Sequence, residues 1–256
     1  MLGPLNLTTS QWVFVPDKFL WRIPFQALSP DGVKYLIETK TISYSPSVSL
    51  LSKLLESNRP IRKTIQIYAN DTFNNQKLAY VNNEASNVAK MFDTVPHVSA
   101  SKKLFLTTSP QADILHFSMH AQLDGEDPLS SFLAFRQNAL DNGTLSVSDL
   151  LSLTLKPNNL AFVASCDTSR VLNGEGLVSI PWALLGSGSS TVISSQWEAA
   201  DNSTRVLVEE FYSNYLNGES TAKSLQKAAV SLINKKDSGF HEPYFWASFN
   251  LMGDFR

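Results

Sequence analysis

The chain has 256 residues, 43% of them hydrophobic and 17% charged, with a net charge of −2. That suits one large α/β domain or two small ones, and without a basic run to follow a phosphate backbone it argues against direct nucleic-acid binding. A single cysteine excludes an intramolecular disulfide and favours a reducing compartment.

The N-terminus, MLGPLNLTTS, lacks the basic and apolar regions of a signal peptide. No apolar run is long enough to cross a bilayer. The sequons at Asn6, Asn70, Asn142 and Asn202 carry little weight without a secretory signal. Cytoplasm is the expected location.

In chain order, WVFV (12–15) and TISYS (41–45) read as strands, and the spacing predicts a helix over Val48–Leu55. TIQIYA (64–69) follows as a strand, then a polar loop over Asn70–Gln76 and a helix over Glu84–Phe92. DILHFSMH (113–120) is the next strand. A loop over Asp124–Ser130 separates it from SFLAF (131–135). LAFVASC (160–166) is apolar almost throughout, as expected of a strand covered on both faces. TVISSQW (191–197) is the last predicted strand. Leu207, Val208, Phe211, Tyr212, Tyr215 and Leu216 form a stripe at helical spacing, with Asp201, Asn202 or Ser203 as the cap and Asn217-Gly218 as the stop. A second helix follows Ser220. Strands alternating with helices predict an α/β fold with a mostly parallel central sheet. Nothing forces a domain boundary, so residues 1–256 are taken as one domain.

Ligands of open α/β sheets bind beyond the carboxyl ends of the strands. One predicted strand ends at His120 and another at Cys166, the only cysteine, 46 residues later. Caspases place their histidine about 50 residues before the cysteine. A thiol attacks a peptide carbonyl as thiolate, and an adjacent imidazole takes its proton and then protonates the leaving amine. The backbone N–H groups of Ala121 and Cys166 are natural donors to the oxyanion. Taken alone, a cysteine closing an apolar strand is more often a small core residue. His116 shares a strand face with His120 by alternation and reads as structural. His97 and His241 fall in loops, and no metal-ligand spacing appears, so neither a metal nor another cofactor is expected.

Seven segments in order carry a family likeness: VPDKFLWRIPFQAL (15–28), ISYSPSVSLL (42–51), DILHFSMHA (113–121), LAFVASCDTS (160–169), GEGLVSIPWALLGSGSSTVISSQWEAAD (174–201), FYSNYLNGESTAKSLQKA (211–228) and HEPYFWASFNLMGD (241–254). The sequence resembles the CHAT domain, a caspase-like cysteine peptidase module often found beside tetratricopeptide (TPR) repeats, in the clan of caspases and separase. The resemblance implies a three-layer caspase-like sandwich, with the general base on His120 and the nucleophile on Cys166. It departs from the family pattern at Ala121, where glycine usually follows the histidine, and at Ser169, where glycine usually follows the threonine.

The P1 pocket implied by the resemblance involves Ala164, Gln196, Trp197 and Glu198. Asp167, beside the nucleophile, would favour a basic P1 side chain, or else cap the following turn. Trp197 is equally at home in a core. A substrate strand would add to the sheet edge by main-chain hydrogen bonds.

The function expected is a cysteine endopeptidase acting on a protein substrate. A regulatory protein or domain such as TPR repeats would control it, with bacterial defence or signalling as a context by analogy. The alternative is a catalytically silent binding or scaffold module on the same fold. A flavodoxin-like nucleotide-binding reading is weaker, because GEG (174–176) and GSGSS (186–190) match neither G-x-G-x-x-G nor a P-loop.

Overall fold

The computed structural model describes residues 9–57, 64–155, 159–165, 168, 178–198 and 201–256. Its strands are β1 (Gln11–Phe14), β2 (Thr41–Tyr44), β3 (Ile65–Asn70), β4 (Thr72–Phe73), β5 (Gln76–Lys77), β6 (His97–Val98), β7 (Ile114–Met119), β8 (Ala121–Gln122), β9 (Phe132–Ala134), β10 (Thr144–Ser146), β11 (Leu160–Ala164), β12 (Thr191–Ser195) and β13 (Phe249–Gly253). The α-helices are α1 (Leu36–Thr39), α2 (Val48–Glu56), α3 (Val81–Met91), α4 (Lys102–Thr108), α5 (Val147–Ser152), α6 (Ile180–Ser187), α7 (Asp201–Leu216), α8 (Thr221–Asn234) and α9 (Pro243–Trp246).

Eight strands form the central sheet in the order β1-β2-β13-β12-β11-β7-β3-β6. Neighbours run parallel except β12 and β13, which are antiparallel. The expected α/β architecture, a mostly parallel sheet between helical layers, is what the chain adopts. Alternation along the strands explains the layering. Ile114, Leu160, Phe162 and Ile193 point to one side, where they meet Val88 of α3, Phe211 and Tyr212 of α7, and Leu225 and Leu232 of α8. Leu115, Phe117, Val163 and Val192 point to the other, against Phe105 of α4, Leu150 of α5, and Ile180 and Leu184 of α6. Each fully buried side chain of this kind stabilises by about 1.5–3 kcal/mol.

Several local expectations are corrected. SFLAF leaves the central sheet and supplies β9, the middle of a separate antiparallel sheet β10-β9-β8. Helix α7 starts at Asp201, so Asp201, Asn202 and Ser203 all belong to its first turn and none is the cap that precedes it. Helix α3 starts at Val81, three residues before the expected start at Glu84. The polar segment 70–76 is largely a hairpin of β4 and β5, not an irregular loop. Strand β13 was not expected because a buried Asn250 interrupts its apolar run. Gln26 satisfies that side chain with a 2.7 Å hydrogen bond. Helix α6 gave no periodic signal because both sides of IPWALLGS are covered.

Candidate functional site

Strands β7 and β11 lie side by side and parallel, with Ser118 opposite Ala164. His120 immediately follows β7 and is half-buried. Its Nε2 lies 3.1 Å from the carbonyl oxygen of Gln76. A carbonyl can only accept, so Nε2 carries the proton and Nδ1 keeps a free lone pair. The tautomer follows from this network.

The Gln76 carbonyl is held by a tight turn. Asn74 and Asn75 connect β4 to β5 with φ of 47° and 63°. Positive φ at both central residues is the signature of the hairpin turn that matches strand twist, and asparagine tolerates it better than most residues. Sequence reasoning missed Gln76 because a backbone carbonyl leaves no trace in residue type. The Asn-Asn pair was the available signal for the turn.

Ala121 opens β8 opposite Leu133. The N–H of Ala134 donates to the His120 carbonyl at 2.9 Å. In an antiparallel ladder such a bond flanks a non-hydrogen-bonded pair, here Ala121 with Leu133, so the Ala121 N–H is directed away from β9. Ala121 is absent from the non-glycine residues with positive φ. Alanine in place of the family's glycine therefore carries no left-handed strain here.

Cys166 and Asp167 lie outside the described residues, as does Ser169. The residues on either side of 166–167 are well tied. Ser195 of β12 donates its hydroxyl to the Ser165 carbonyl at 2.6 Å. The Ser195 carbonyl accepts from the Thr168 N–H at 3.0 Å. The Thr168 hydroxyl in turn accepts from the Ser195 N–H at 3.3 Å. One residue thus clamps both shoulders of the segment that contains the cysteine.

The four described pocket candidates differ in setting. Ala164 packs in the same apolar cluster as Phe162 and Phe249. Gln196 is buried, and its Nε2 donates to the Trp21 carbonyl at 2.7 Å. Trp197 is half-buried against the core and donates its indole N–H to the Tyr244 carbonyl at 3.0 Å. Glu198 is exposed, and its carbonyl accepts from the Tyr244 hydroxyl at 2.8 Å. Gln196 therefore faces the segment around Trp21, whereas Trp197 and Glu198 are tied to α9.

His116 belongs to a different constellation, within the core. Its Nε2 lies 3.2 Å from Glu84 of α3 and its Nδ1 3.1 Å from the hydroxyl of Tyr212 on α7. Burial, and then the charge of Glu84, push the Tyr212 phenol well above its ordinary range. Tyr212 thus remains a hydroxyl that donates to Nδ1, leaving the Nε2–H for Glu84. This network joins two helices to β7 and matches the structural reading of His116. Among the described residues, no group of His, Cys, Asp and Glu could hold a metal ion. No described helix is long and apolar enough to cross a membrane.

Known structures share this arrangement of sheet and helices. Separase in the Saccharomyces cerevisiae separase–securin complex superposes with a TM-score of 0.62 at 15% identity, covering 94% of this chain and 15% of that one. The Porphyromonas gingivalis RgpB pro- and mature-domain complex gives 0.57 at 11% identity, over 84% of this chain and 56% of that one. The Arg-specific cysteine proteinase gingipain R gives 0.54 at 12% identity, over 90% and 57%. At such identities the likeness shows the fold, which is caspase-like. By sequence the chain is similar to tetratricopeptide repeat protein 28 of Homo sapiens, 24% identical over 95% of this chain. The Mus musculus protein of the same name is 25% identical over the same share. The chain spans only 12% of the length of either relative. The CHAT domain model matches residues 2–254, so the chain belongs to the CHAT domain family.

Proposed function

We propose that this chain, taken over 1–256 as one domain, is a cysteine endopeptidase that cuts a protein substrate with Cys166 as nucleophile and His120 as general base. The observation that carries this is the pairing of Ser118 with Ala164 on adjacent parallel strands. Each stands two residues before one member of the pair, and neighbouring strands are about 4.8 Å apart. The Gln76 carbonyl adds the orienting group such a base needs.

In this reading the Nδ1 lone pair of His120 takes the thiol proton, and the Cys166 thiolate adds to the scissile carbonyl. The backbone N–H groups of Ala121 and Cys166 receive the oxyanion. His120 then protonates the leaving amine, and water hydrolyses the thioester with the same imidazole as base. The lack of positive-φ strain at Ala121 removes a reason to favour a silent scaffold. The TPR relatives support a TPR-bearing or equivalent partner as regulator, and full activity of the isolated chain would count against that. A reducing compartment, the cytoplasm, would keep Cys166 a thiol.

The test is a peptidyl acyloxymethyl ketone, which alkylates an activated thiolate, read by intact mass. Adduct formation at Cys166 that requires His120 supports the proposal. Failure to label, alone or with candidate partner proteins, favours the scaffold.

The Ser195 clamp makes its own prediction. Thr168→Val and Ser195→Ala should each lower kcat by roughly tenfold to a hundredfold through misplacement of the nucleophile, with KM nearly unchanged. Steady-state kinetics with a cleavable peptide checks this. A fall confined to thermal stability would make the clamp merely structural.

A further inference from the structure

We infer that Gln196 and the serines around it form a subsite that reads an uncharged carboxamide side chain, Asn or Gln, on the substrate residue before the scissile bond. This rests on Cys166 being the nucleophile.

The Gln196 amide has a settled orientation. Its Nε2 donates to the Trp21 carbonyl at 2.7 Å, and a carbonyl cannot accept from the other end of the amide. Oε1 is therefore an acceptor, and it is buried with no hydrogen-bond partner. Three serine hydroxyls share that condition nearby: Ser165, Ser194 and Ser248. Register brings them together. Val163 lies opposite Ser194, and the Ser195 hydroxyl bonds the Ser165 carbonyl at 2.6 Å, so Ser165 and Gln196 leave the ends of these two neighbouring strands side by side. The Gln196 N–H bonds the Ser248 carbonyl at 2.8 Å, carrying the row onto the strand beyond. All four side chains are at least nine-tenths buried, at 5% exposure for Ser165, 1% for Ser194, 7% for Gln196 and 0% for Ser248.

Buried polar atoms are nearly always paired, so a cluster of bare ones marks a place for a polar guest. Its position is telling, because Ser165 directly precedes the nucleophile. In the proposed reaction the residue under attack is joined through its carbonyl to Cys166, the next residue in the chain, so its side chain would start close to this row. The chemistry of the row selects the guest. Ser165, Ser194, Gln196 and Ser248 are all neutral, as are Gln26 and Asn250 beyond them, joined to each other at 2.7 Å. A lysine or arginine would be buried there without a counter-charge among these residues, and an aspartate would meet the bare Gln196 oxygen. A carboxamide donates from its NH2 to Gln196 Oε1 and accepts from a serine hydroxyl. It satisfies both kinds of bare atom at once. The segment that orients the reader, around Trp21, lies far from it in sequence.

The experiment measures adduct rates at Cys166 with peptidyl acyloxymethyl ketones that differ only in the terminal side chain: Asn, Gln, Ala, Asp or Lys. The full chain is used, with thermal midpoints recorded for each variant. Asn or Gln should react roughly tenfold or more faster than Ala, Asp or Lys. Gln196→Ala should erase that advantage, and Gln196→Glu should move the preference to Lys. Rates independent of the side chain, or a Lys preference in the wild type that would assign Asp167 as its counter-charge, overturn this inference and leave the peptidase reading intact. No adduct with any probe overturns both. If Gln196→Ala fails to fold, Gln196→Glu, which keeps size and shape, carries the test by its switch.

Discussion

Cleavage of substrate should fall to background in Cys166→Ala, and by about 10³- to 10⁴-fold in His120→Ala. Without the thiol no acyl-enzyme forms. Without the imidazole the thiol has no base to take its proton, and the leaving amine has no proton donor. In the proposed mechanism the two act as a unit, so the double variant should be no worse than Cys166→Ala alone. The folding cost of His120→Ala should be small. The side chain is half-buried, and water can replace its one described hydrogen bond to Gln76. Mass spectrometry of cleavage products, wild type against each variant in a lysate with candidate neighbours, measures the effect. Undiminished cleavage in Cys166→Ala would sink the assignment.

The largest expected loss of stability lies elsewhere, at Glu84. Its carboxylate is 2% exposed and faces His116, which is fully buried, at 3.2 Å. Glu84→Ala removes one partner and leaves the imidazole Nε2–H bare in the core, which should cost about 2–3 kcal/mol. Glu84→Gln keeps an acceptor oxygen and should cost about 1–2 kcal/mol. Replacing both residues by leucine should recover much of the loss, because a well-packed apolar pair is often as stable as a buried polar one. Urea unfolding midpoints read all three. A cost below about 1 kcal/mol for Glu84→Ala would mean that this network does not hold α3 to β7.

His116 and His120 show what kind of information each source carries. His116 lies within β7 and His120 immediately follows it, four residues apart and of the same residue type. Position relative to the strand end separated them in the sequence, and in the structure their partners differ. His116 meets Glu84 and Tyr212 in the core, whereas His120 meets a backbone carbonyl at the rim.

What the amino-acid order determined was local and chemical. Apolar runs of strand length and stripes at helical spacing announced most of the layers. The unique cysteine and a histidine ending two such runs named the candidate pair. The ordered motifs named the family, and each of these signals is written in residue types. What only the tertiary structure decided depends on backbone groups and on residues far apart in the chain. The Gln76 carbonyl on His120, the direction of the Ala121 N–H, the Ser195 clamp and the Trp21 carbonyl on Gln196 all involve main-chain atoms, which leave no mark in residue type. β9 went to a second sheet because pairing partners, not apolarity, choose a sheet. β13 entered the first because Gln26, distant in sequence, satisfies the buried Asn250. Side-chain identity specifies which groups are available, and the fold alone specifies which of them meet.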